Sequence, residues 1–167
     1  MTLVAGRDCG DCTVCCVAPN IDKPKIQKLS GAACRHRAAG GCAIYESRPF
    51  VCRRFYCAWR TVDIFGEAWR PDKSGVYAIL ETDDIPMQSG FSTGINLTLV
   101  GNPLKTVREP RFVDFVTHGI RKNIPLFLGL PGPKGKQAAK LLLNGGQMSA
   151  AAALPARGPV KTQLEKA

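Results

Sequence analysis

Eight cysteines, all between Cys9 and Cys57, constrain this chain more than any other feature. They run as Cys9-x2-Cys12-x2-Cys15-Cys16, followed by Cys34, Cys42, Cys52 and Cys57. Two residues between cysteines let one tight turn aim two thiolates at a common centre, as in zinc knuckles and iron–sulfur loops. The first part of this segment carries Gly, Asp and Pro and little apolar periodicity. Burial alone cannot offset the entropy of ordering such a stretch. A cross-linking centre is what it lacks, so all eight cysteines are read as metal ligands.

A disulfide framework is the main competitor, since the number is even and the block is small. The opening residues show no charged segment followed by a long apolar stretch, so the expected compartment is the cytoplasm, where thiols stay reduced. No apolar run reaches the roughly 18–20 residues that a bilayer crossing needs, so no membrane partner is expected. Cys15 and Cys16 are adjacent and, in an extended segment, point to opposite sides. They do not easily serve one tetrahedral ion, which leaves open one centre or two. Cys52 and Cys57 would share a centre only if the helix bearing Cys52 ends before Cys57. Three cysteines at x2 intervals resemble the run that wraps a [4Fe–4S] cube, whereas zinc more often takes two separated pairs. The cofactor reading is therefore an iron–sulfur cluster or zinc, leaning to the cluster. His36 is a possible extra ligand inside the block. His118 lies far from it and reads as structural.

The motif resembles the CxxCxxCC (YkgJ-type) cysteine-cluster family, a zinc- or iron-chelating domain family. The resemblance rests on Cys9-Gly-Asp-Cys12-Thr-Val-Cys15-Cys16, on Cys34-Arg-His36, and on the run from Gly41 and Cys42 through Tyr45, Arg48, Pro49, Cys52, Arg53 and Phe55 to Cys57. It spans residues 9–57, about a third of the chain, and implies that these cysteines chelate zinc or iron. Arg48 and Arg53 are expected beside the ligands, offsetting thiolate charge or donating hydrogen bonds. Tyr45 and Phe55 are expected to cover the centre.

The formal charge of +10 falls to +2 if all eight thiols ionise, and two divalent ions would return it to +6. The positive charge sits in the cysteine segment and the tail. Arg48, Arg53, Arg54 and Arg60 lie near Phe50, Phe55, Tyr56 and Trp59, so a basic zinc-binding module contacting nucleic acid is the second functional reading. A metal-dependent enzyme is the third, with no catalytic motif to assign. The acidic pair Asp83-Asp84 reads as a solvated loop.

The fold class expected is α+β. Residues 1–60 form a small, irregular, metal-stapled module with a short helix, capped by Ser47 and opened by Pro49. Residues 61–146 form a ββαβα lobe packed on it. Its strands are expected over 75–81, 95–99 and 124–128, and its helices over 110–121 and 134–143. Residues 147–167 are expected to be a flexible basic tail.

Overall fold

The structure, a computed structural model, describes residues 2–130 and 139–145. The fold is α+β. The cysteine segment holds two small antiparallel hairpins, β1 (Ile21–Lys23) with β2 (Ile26–Lys28), and β3 (Arg37–Ala38) with β4 (Gly41–Cys42). Two short helices follow, α1 (Phe50–Arg54) and α2 (Ala58–Thr61). The helix α3 (Pro71–Ser74) is a single turn. It ends at Gly75, whose φ of 69° is left-handed and turns the chain into β5 (Val76–Glu81). Then come β6 (Gly94–Leu99), α4 (Pro103–Thr106), α5 (Pro110–Arg121), β7 (Leu126–Leu130) and β8 (Ala139–Leu142).

The last four strands make one sheet in the order β5-β6-β7-β8. β5 and β6 are antiparallel, with Val76 opposite Leu99 and Ala78 opposite Leu97. β6 and β7 are parallel, which requires a crossover, and α5 supplies it. α5 turns Phe112, Phe115 and Val116 to the sheet, and Gly119 lets the helix approach Leu126. The core joins Val76, Ala78, Ile95, Leu97, Leu99 and Leu126 of the sheet to Phe112 of α5, Phe65, and Ala58 and Trp59 of α2. Helix α2 is thereby shared between the cysteine segment and the sheet.

Two expectations are corrected. Ser47 does not cap α1; the helix starts at Phe50 and Pro49 holds the cap position in an extended conformation, without a side-chain cap bond. Ser47 instead closes a turn, its N–H donating to the Ile44 carbonyl. Residues 139–142 form a strand where a helix was expected. Their Ala-Lys-Leu-Leu sequence suits a helix, but pairing along β7 satisfies the backbone and overrides that preference. Lys140 then bridges Glu81 and Asp84. The buried Asn144 donates to the Ile124 carbonyl and fixes the entry to β7. The first part of that expected helix, 134–138, and the expected tail, 147–167, lie outside the described residues. Among the described residues, no helix is long and apolar enough to cross a membrane.

Candidate metal centre

Between residues 2 and 57, only Ile26, Lys28 and Gly41 are buried. The segment therefore has no apolar core of its own. Its order comes from turns, and those turns aim the cysteines inward. The Cys12 N–H donates to the Cys9 carbonyl at 2.9 Å, closing one turn. Val14–Cys16 form a 3-10 turn, which places Cys15 and Cys16 on different sides. The Cys34 N–H donates to the Cys16 carbonyl at 2.8 Å, and the Arg37 N–H donates to the Cys34 carbonyl. Pairing of Arg37 with Cys42 then brings Cys42 back beside Cys34. Cys52 sits in α1, which ends at Arg54, and Cys57 occupies the cap position of α2.

All eight cysteines are free thiols, each half-buried, and all eight line a single cavity of about 270 Å³. That space equals roughly nine waters at about 30 Å³ each. His36, Tyr45, Arg48 and Phe55 share the wall. Arg53 is exposed and does not. His36 accepts a hydrogen bond at Nε2 from Arg35, and its backbone N–H points to the Cys34 sulfur. The Arg48 guanidinium lies 3.6 Å from the centre of the Tyr45 ring and donates to the Tyr45 carbonyl. His118 is exposed on α5. Among the described residues, no three His, Cys, Asp or Glu side chains gather tightly enough to hold a single metal ion.

The cavity wall has three further members whose role the sequence did not disclose. Strand alternation sends Val76 and Ala78 into the core and Tyr77 to the opposite face, towards the cysteines. The Tyr77 hydroxyl, the Trp59 indole N–H, and Nε and Nη1 of Arg60 are all buried, and none has a partner within the protein. Each is a hydrogen-bond donor. An unpaired buried donor costs about 1–3 kcal/mol, and more when it is charged. The wall therefore lacks acceptors, and an anionic, sulfur-rich occupant would supply them. A fourth group, Lys28, is buried behind the cysteines and donates to the carbonyls of Val17, Pro19, Leu29 and Ala32.

The thiols divide by neighbourhood. Burial pushes the Cys15 thiol well up, and nearby Cys16, Cys9, Cys12 and Cys57 push it further. Burial also raises Cys57, with Cys9 and Cys12 adding to it, while backbone N–H groups of Arg60 and Trp59 pull it back. Burial raises Cys16, and nearby Cys42, Cys34 and Cys52 push it the same way. Burial raises Cys52, with Cys34 and Cys42 acting the same way and Arg48 and Lys28 opposing them. Although α1 ends before Cys57, Cys52 and Cys57 thus keep different company.

These raised thiols hold their protons at neutral pH, so a metal must displace them on binding. Lowering the pH strengthens the competing protons. The apparent affinity for cobalt(II), read from thiolate charge-transfer absorption, is expected to weaken progressively from pH 8 to pH 6. A flat profile would contradict proton displacement.

Gly41 locks the second hairpin to the first turn. Its φ is +122°, and a Cβ there would lie 2.8 Å from the Gly10 carbonyl oxygen. Gly41→Ala is expected to cost roughly 1–3 kcal/mol for the strained backbone alone. Metal retained through gel filtration should fall with it. Full retention would show that the contact does not position Cys42.

Fold and site together define an α+β protein with a cavity walled by cysteines. Comparison with protein-family models, curated proteins and solved structures finds no match for the chain.

Proposed function

We propose that this protein binds iron as an iron–sulfur cluster through its clustered cysteine thiolates; the resemblance to the CxxCxxCC family implies zinc or iron chelation by these residues, and the x2 spacing of Cys9, Cys12 and Cys15 favours the cluster. The observation that carries the reading is the single cavity lined by all eight thiols, with buried donors of Trp59, Arg60 and Tyr77 left unpaired in its wall. The volume favours a polynuclear core over a lone ion, because around one zinc ion at about 2.3 Å per bond the four sulfurs lie only about 3.8 Å apart. Sulfide and thiolate would accept the orphaned hydrogen bonds.

The candidate ligands are Cys9, Cys12, Cys15, Cys16, Cys34, Cys42, Cys52 and Cys57. Arg48 and Lys28 offset their charge on one side, and Tyr45 and Phe55 limit the access of water. When bound, the cluster supplies a cross-link for the segment and one-electron transfer. Zinc is the second reading, favoured by the Cys9–Cys12 turn, whose spacing suits a zinc pair equally well.

Anaerobic purification followed by metal and sulfide analysis tests both. Iron with acid-labile sulfide and broad visible absorption is the expected result. A colourless, iron-free protein with stoichiometric zinc would replace the first reading by the second. Metal-free protein with eight reactive thiols would end both.

A further inference from the structure

We propose that the groove between the β1–β2 hairpin and α1 docks a partner protein through an acidic segment that carries apolar anchor side chains. None of the eight cysteines lines this groove, so the docking surface is separate from the cysteine cavity, with Ile26, Val51 and Phe55 shared by the two walls.

The groove measures about 680 Å³. Its floor is apolar, built from Ile26 of β2, Val51 of α1 and Phe55 just after that helix. Ile26 is buried, and Phe55 stacks on Tyr77 of β5 with ring centres 5.9 Å apart, so the floor is tied to the sheet. Phe50 stands at the edge and is 64% exposed, although a large ring gains by leaving water. It precedes Arg54 by four residues on α1, which puts both on one side of the helix, and the guanidinium lies 5.4 Å from the ring centre. The hairpin contributes Lys23, at the end of β1, and Lys25, in the turn that follows.

Charge selects the occupant. The charged residues of the groove are Lys23, Lys25 and Arg54, all exposed, and among the described residues no carboxylate lines it. Among the described residues, none of the three cations forms a salt bridge. Asp22, next to Lys23, accepts a hydrogen bond from Gln27 instead. A cationic rim attracts carboxylates and an apolar floor takes up apolar side chains, the two parts of a protein interface. The chain's own residues 147–167 match this poorly, since they carry Arg157, Lys161 and Lys166 against Glu165. A second copy also matches poorly, because its Asp11, Glu67, Asp72, Glu81 and Asp84 already pair with its own cations. A nucleic acid stacks successive bases on exposed rings, and the groove offers it one, Phe50.

The test pans random peptides displayed on phage against the full-length protein purified without oxygen. Enriched sequences are synthesised with a fluorescent label and titrated by anisotropy. Peptides rich in Asp and Glu and bearing Leu, Ile or Phe are the expected product. Phe50→Ala and Arg54→Glu should each weaken their binding by about tenfold, and added salt should weaken it further. Lys25→Glu reverses a charge on the hairpin, away from α1, and should act like Arg54→Glu. All three positions are exposed and outside the core, and an unchanged circular dichroism spectrum checks each fold. Absence of acidic peptides from the enriched set, or binding indifferent to all three substitutions, would overturn the proposal. So would retention of oligothymidylate or of phosphatidylserine vesicles in place of peptide, or self-association that Phe50→Ala abolishes.

Discussion

On the proposed metal-binding reading, stripping the metal should release residues 9–57 to proteolysis while the four-stranded sheet stays folded. The reason is the uneven distribution of apolar burial. The cysteine segment buries Ile26 and almost nothing else that is apolar, whereas the sheet, α5 and α2 share a continuous core. Without ligand bonds, only short turns and two small hairpins oppose the entropy of this stretch. Ordering the backbone costs about 1–2 kcal/mol per residue, far more than such turns return. On the proposed reading, metal binding is part of the folding free energy of the segment. Limited trypsin digestion of the anaerobic protein, with and without chelator, measures this. Cleavage at Lys25, Arg35 and Arg37 should rise by orders of magnitude on chelation, with the peptides of β5 to β7 protected in both samples. Equal resistance of the two samples would show that the centre is not structural, leaving its redox or metal-handling role to stand separately.

Leu97→Ala should be the most damaging single substitution in the sheet, lowering stability by about 3 kcal/mol. Leu97 has no exposed surface, lies in the central strand β6, and packs between β5 and β7 with Leu99 and Leu126. Truncation there loses the burial of the side chain and leaves a cavity that paired strands on both sides cannot close. For a chain of this size the melting temperature should drop by about 10 °C. Thermal denaturation by circular dichroism reads the change. Leu97 lies outside the wall of the cysteine cavity, so metal per folded protein should be unaltered. A drop below about 1 kcal/mol would mean that the core does not depend on this position.

Much of the fold was legible because its patterns are local. Alternation of Ile95, Leu97 and Leu99 marked β6, and the Phe112, Phe115, Val116, Gly119 face marked α5 at its observed bounds. The final strand was not legible, since Ala139–Leu142 reads as helical until β7 offers it a partner. Among site residues, the cysteines and His36 were marked by their spacing, Tyr45 and Arg48 by the resemblance to the CxxCxxCC motif, and all reach one cavity. Arg53 has the same local credentials as Arg48, yet it faces solvent, because one step along a helix turns a side chain about 100°. Tyr77 left no signal at all. A tyrosine in a strand is ordinary, and only the sheet's second face being covered by the cysteine segment makes it a buried donor.

Composition and spacing alone determined that the amino-terminal third cannot be held by an oily interior and that its thiols are its distinctive chemistry. Those are one-dimensional properties: a count of apolar groups and the reach of a short turn. The chain in three dimensions decided which thiols neighbour which, and which donors stand unpaired beside them. Such facts depend on strand register, helix phase and the direction of each side chain, and these are set by contacts between residues far apart in sequence.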